Sequence, residues 1–202
     1  MIYSAEKEAA IHLLSFFPDI SLDFDTYLVE RNRIQDALWP TVTLLPGVHK
    51  LVHHLKKHNI PMAIATSSRR RNYNLKTTHL QAVFGCFEGK VVCGDDHKYN
   101  MRGKPAPDIF ITTAREMLNR DVGYPDIPPT EIQIEERKKG LVFEDALPGM
   151  QAGKRAGMSG MAHIYIYKLI CIKILQSFGY PILIFETSIL WVRRKLIRFW
   201  IH

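Results

Sequence analysis

Cysteine is scarce in this 202-residue chain, and Cys86, Cys93 and Cys171 form no Cys-x-x-Cys pair. An odd, scattered set of thiols argues against a secreted disulfide scaffold. The opening Met-Ile-Tyr-Ser-Ala-Glu-Lys-Glu lacks the basic region and apolar run of a secretory signal, so a cytoplasmic location is expected. Acidic residues almost vanish from one stretch. Residues 161–202 set Lys168, Lys173, Arg193, Arg194, Lys195 and Arg198 against Glu186 alone, so that segment carries +5 of the formal net charge of +7. The rest is close to neutral. No aromatic or groove-reading motif supports nucleic-acid binding by Arg193-Arg194-Lys195, so no nucleic-acid partner is expected. Internal repeats are also absent. What is present is 47% hydrophobic residues against 23% charged, enough for a packed core and too apolar for general disorder.

Residues 4–58 read as helices. Ser4 can cap a first helix that Pro18 ends, and Asp23 to Thr26 opens a second, which ends before Pro40. After Pro46-Gly47, the spacing of Val48, Leu51, Val52 and Leu55 predicts a third. The pattern then changes. Met62 to Ala65, Val91 to Cys93 and Gly140 to Phe143 are short apolar runs of the kind found in buried parallel strands. Helical patterns follow them, over 105–118 and 150–156, with a proline-rich charged connector at 119–138. Strands alternating with helices predict an α/β fold with a Rossmann-like parallel sheet. From about residue 159 the chain fills with Ile, Tyr, Phe and Lys. Residues 174–192 hold one charge and are just long enough to span a bilayer. Gln176, Pro181 and Glu186 stand against that reading, since a charge at mid-span costs about 3 kcal/mol.

In an open parallel sheet, ligands sit at the carboxyl ends of the strands. Three such ends carry groups suited to phosphate. Thr66, with the amides of Ser67 and Ser68 after it, makes an anion cradle or simply a helix cap. Lys104 precedes a proline-started helix and can serve as a fixed counter-charge or as a solvated surface lysine. Glu144 and Asp145 end an apolar strand, and two carboxylates so placed suit a hard cation such as Mg²⁺, or else cap a helix.

Taken together these segments resemble the haloacid dehalogenase-like phosphohydrolase superfamily. Within it they are most similar to the pseudouridine-5′-phosphatase, glycerol-3-phosphatase and 2-deoxyglucose-6-phosphatase group. The resemblance rests on Pro46-Gly47-Val48, Ala65-Thr66-Ser67-Ser68, Gly94-Asp95-Asp96, Gly103-Lys104-Pro105-Ala106-Pro107-Asp108-Ile109-Phe110 and Val142-Phe143-Glu144-Asp145-Ala146 to Ala156-Gly157-Met158. It covers about residues 20–158. It implies a partial helical cap at 1–45, a phosphatase core at 46–160 and an atypical tail at 161–202. It also implies Mg²⁺-dependent hydrolysis of a small phosphate monoester (sugar, polyol or nucleotide) through an aspartyl-phosphate, by a monomer. Thr66 would bind the phosphoryl group with Ser67 and Ser68, Lys104 would neutralise it, and Glu144 and Asp145 would hold Mg²⁺.

The family places Asp-x-Asp-Gly-Thr on its first core strand. Here only Asp23-Phe24-Asp25-Thr26 is similar; it lacks the glycine and a preceding strand, and reads as a helix start. The first core strand is therefore expected to be missing, exposing apolar sheet edges. The chain is expected to be a truncated product, impaired or inactive. The alternatives are a non-catalytic truncated paralogue and a tail-anchored membrane protein. His54 and His58 have the i, i+4 spacing of a metal pair, but with Lys56 and Lys57 interleaved and no acidic ligand near, they read as a solvated face. Arg69-Arg70-Arg71 could attract an anionic substrate.

Overall fold

The computed structural model describes residues 2–162 and 182–185. The chain divides into two compact units, one up to Thr41 and one from Val42 onward. The first holds α1 (Ile2–Leu14) and α2 (Phe24–Leu38). Asp23 caps α2, its carboxylate accepting from the Thr26 amide at 2.9 Å and the Thr26 hydroxyl at 2.6 Å. The string Asp23-Phe24-Asp25-Thr26 is thus a helix start. No residue of α2 is buried.

In the second unit the chain runs α3 (Val48–Lys57), β1 (Met62–Thr66), α4 (Arg70–Thr77), α5 (Gln81–Phe84) and β2 (Val91–Cys93). It continues through α6 (Asp108–Leu118), α7 (Glu131–Lys138), β3 (Gly140–Glu144), α8 (Leu147–Arg155), β4 (Ser159–Ala162) and β5 (Ile182–Phe185). The five strands form one sheet in the order β2-β1-β5-β3-β4, and every pairing is parallel. Alternation along the strands builds a core on each face. Met62, Ile64, Leu141 and Phe143 pack with Val48, Leu51, Val52 and Leu55 of α3. Ala65, Val92 and Val142 pack with Ile109, Phe110 and Ala114 of α6 and with Ala152 of α8. All five residues of β1 and of β3 are buried, as strands covered on both faces must be.

The centre of the sheet departs from the sequence reading. Residues 182–185, inside the segment read as an atypical tail, pair with β1 on one side and β3 on the other. Ile184 lies opposite Ala63 and Val142, and Phe185 opposite Ile64 and Phe143. Without β5, two buried strands would each leave a row of backbone N–H and C=O groups unpaired. The strand after α8 is β4, and residues 163–181 lie outside the described residues. The stretch 174–192 also lies outside them except at β5. No helix among the described residues is long and apolar enough to cross a membrane.

The connector 119–138 contains α7, which the prolines obscured. A reciprocal cap opens it: Gln133 N–H donates to the Thr130 hydroxyl at 3.3 Å, and Thr130 N–H to the Gln133 side chain at 3.1 Å.

Candidate functional site

Because β1, β2, β3 and β5 are parallel, their carboxyl ends emerge on one edge. Thr66 is the last residue of β1 and Glu144 the last of β3; both are almost fully buried. One strand separates β1 from β3, so their backbones lie about 10 Å apart. Thr66 Oγ1 accepts the Ser68 N–H at 3.1 Å, which turns the chain sharply out of the strand. The following helix opens at Arg70, two residues later than the cradle reading placed it. Its first amide is taken by a residue of another loop: Arg70 N–H donates to Asp95 Oδ1 at 2.8 Å. Lys76 Nζ donates to Ser68 Oγ at 3.1 Å, which puts positive charge on the Ser67-Ser68 turn.

Lys104 and Glu144, forty residues apart, meet at this edge. Lys104 Nζ donates to Glu144 Oε2 at 2.6 Å, with the lysine side chain 10% exposed and the glutamate 1%. The ammonium also lies 4.9 Å from the centre of the Phe110 ring, which favours the cation. The other carboxylate oxygen, Oε1, accepts from the Asp145 N–H at 3.2 Å and the Ala146 N–H at 3.1 Å. Buried charge is tolerated only when so paired. Room for the carboxylate comes from Gly149 in α8, where a Cβ atom would fall 2.0 Å from the Glu144 carboxyl carbon.

The loop bearing Lys104 is itself clamped. The Arg102 backbone N–H, Nε and NH2 donate to the buried Asp108 carboxylate at 2.9, 3.0 and 2.8 Å. Burial pushes Asp108 up, but these Arg102 bonds outweigh it and hold its pKa below the usual carboxylate value. From α8, Arg155 donates to the Pro105 carbonyl at 3.1 Å. A second clamp holds the Thr66 side. Asp96 Oδ2 accepts from Arg70 NH2 at 2.7 Å and from Cys93 N–H at 2.8 Å. Arg70, counted with its neighbours as a substrate attractor, is thus committed to a loop contact. Gly94 has its missing Cβ 2.5 Å from the Ser67 carbonyl, so only glycine lets the two loops touch.

Sequence reasoning overlooked Gly149, Arg102 and Arg155, and named Asp95 within Gly94-Asp95-Asp96 without its contact to the Arg70 amide. Gly149 and Asp95 act through tertiary approach, which leaves no local pattern. The Arg102–Asp108 pairing at six residues apart had a signal, an acid and a base flanking the Lys104 loop. The structure brings Lys104 and Glu144 into contact and sets Thr66 on the same edge. As metal donors, Glu144 and Asp145 offer hard carboxylate oxygens to an ion that keeps most of its water and shares a phosphate, as Mg²⁺ does. Among the described residues no group of three or more ligating side chains assembles.

The haloacid dehalogenase-like hydrolase family model matches residues 8–157. Among curated proteins, (DL)-glycerol-3-phosphatase 2 of Arabidopsis thaliana is 40% identical over 139 residues, 69% of this chain and 52% of that one. A probable pseudouridine-5′-phosphatase of Drosophila melanogaster is 32% identical over 140 residues, 69% of this chain and 54% of that one. The chain spans about half the length of these relatives. A solved haloacid dehalogenase family IA hydrolase of Entamoeba histolytica has a TM-score of 0.54 at 24% identity, over 85% of this chain and 70% of that one. It shows the shared fold.

Proposed function

From the chain's place in the haloacid dehalogenase-like hydrolase family, to which it belongs, we propose that its strand edge is the phosphate-handling site of a small-molecule phosphatase. The observation that carries this is the Lys104–Glu144 pair at 2.6 Å, which joins two separate sequence motifs at the edge where Thr66 ends. On this reading Thr66, Ser67 and Ser68 hold the phosphoryl group, and Lys104 offsets its charge. Glu144 and Asp145 are the carboxylates for Mg²⁺, which when bound neutralises the phosphoryl oxygens. The clamps at Asp108 and Asp96 fix the two loops, so that little reorganisation is needed when the dianion arrives. The substrate is a small phosphate monoester, and the protein is a cytoplasmic monomer with no nucleic-acid partner. Residues 1–45 belong to a cap, 46–160 to the core, and 161–202 to a departing segment that returns one strand to the sheet.

These 202 residues contain no Asp-x-Asp-Gly-Thr. The family's aspartyl-phosphate route therefore has no assigned nucleophile here, and we read the chain as impaired or inactive on its own. The second reading, a binder that does not turn over, is favoured by the same absence. A tail anchor is the weaker alternative, because residues 182–185 of its span pair inside the sheet. Phosphate release from an aryl phosphate, with and without EDTA, separates these readings. The expected result is negligible turnover that appears when a strand bearing Asp-x-Asp-Gly-Thr is supplied and disappears with Lys104→Ala. Turnover indifferent to Lys104 and to EDTA would refute the proposed site.

A further inference from the structure

Two histidine pairs, each one helical turn apart, line the solvent side of α3. Its opposite side, Val48, Leu51, Val52 and Leu55, is buried in the core, which fixes the helix and hence the spacing of the rings. His49 and His53 are stacked, with centroids 4.1 Å apart and planes 20° from parallel. His54 and His58 lie 4.4 Å apart with planes tilted by 48°. None of these rings takes part in the phosphate site.

We propose that His54 and His58 form a two-imidazole site for a borderline divalent transition ion, of the Ni²⁺, Cu²⁺ or Zn²⁺ class, separate from the strand edge. Imidazole nitrogens suit these ions and leave Mg²⁺ unheld. Two bonds of about 2.1 Å meeting at an angle between square-planar and tetrahedral need nitrogens about 3.0–3.4 Å apart. From centroids 4.4 Å apart, a small swing of either ring about its broad terminal torsion supplies that. Both residues lie at the carboxyl end of α3, with His58 as its cap, where the helix dipole favours a cation. Lys57 and Lys50 repel a dication, but nearby Lys56 is offset by its ion pair with Glu88.

His49 and His53 are an internal control. His53 Nδ1 donates to the His49 carbonyl at 2.9 Å, which ties that ring back to its own helix. Their rings are nearly parallel, and His49 lies in the first turn of α3, where the dipole opposes a cation.

The test is calorimetric titration of the full chain with Ni²⁺ in excess Mg²⁺. The expected result is one saturable Ni²⁺ site that His54→Asn or His58→Asn weakens about a hundredfold, the loss of one arm of a chelate. The double variant His49→Asn/His53→Asn leaves it unchanged. All four side chains lie on the outer face, and thermal unfolding without metal checks that each variant is folded. In the same series Ni²⁺ raises the wild-type midpoint and leaves that of His58→Asn unmoved. Undetectable Ni²⁺ binding, or binding lost with His49 and His53 and kept without His54 and His58, overturns the assignment.

Discussion

Replacing Gly149 by alanine sets two effects of opposite sign against each other. Within α8 the change favours the helix, by at most about 1 kcal/mol. The new methyl, however, falls 2.0 Å from the Glu144 carboxyl carbon and 2.4 Å from its Cγ. Glu144 is a flexible side chain and can rotate away, so the cost is what it gives up. It loses the Lys104 bond at 2.6 Å and the bonds from the Asp145 and Ala146 amides at 3.2 and 3.1 Å. Hydrogen bonds to a charged group are worth about 1.5–3 kcal/mol each. Water at this edge replaces part of that, so a loss of roughly half, about 2–4 kcal/mol, is expected. Subtracting the helix gain leaves about 1–3 kcal/mol of destabilisation, or a fall of several degrees in the thermal midpoint. Denaturant unfolding of Gly149→Ala beside wild type measures it. A variant equal to or more stable than wild type would show that the Glu144 carboxylate does not occupy the place beside Gly149 and that the edge is not preorganised.

Other expectations follow from the same geometry. Lys104→Met strands a buried carboxylate and costs about 3–5 kcal/mol, whereas Lys104→Met with Glu144→Gln recovers more than half of it, as a double-mutant cycle in urea will show. Asp108→Asn weakens the Arg102 clamp by about 2 kcal/mol. The pKa of Asp108 is lowered on folding, so its contribution is complete above its usual value of 3.8 and fades as pH falls through the lower folded value. Acid titration of stability below about pH 3.8 should therefore be steeper for wild type than for Asp108→Asn. Ile184→Pro removes a ladder donor from the middle of the sheet and costs about 3 kcal/mol or more; a variant that melts with wild type would exclude β5 from the sheet.

Strands β1, β2 and β3 were legible because each is a short apolar run bounded by Pro, Gly or a polar end, as in Pro61-Met62-Ala63-Ile64-Ala65-Thr66. β5 was not, because Ile182 to Phe185 sit in a long apolar stretch where strand, helix and membrane span give the same local pattern. The helix α7 hid behind Pro125, Pro128 and Pro129, although the Thr130–Gln133 cap announced it. Thr66 and Glu144 stood out as polar groups that end buried strands, and Lys104 as a charge just before a proline-started helix. What holds them, Gly149 against Glu144 and Asp95 on the α4 amide, depends on atoms far apart in sequence, and no window of residues contains it.

The placement of β5 also bears on how the chain comes off the ribosome. β1 is complete at residue 66 and β3 at residue 144, yet the strand that joins them is not made until residue 185. β1 waits through more than a hundred residues of synthesis and β3 through about forty, each with an open ladder on the side of the empty lane. Closing it requires contacts of long sequence separation, which form slowly and leave the nascent chain exposed to misassembly. A growing chain of this design should lean on a holding chaperone until its middle strand arrives.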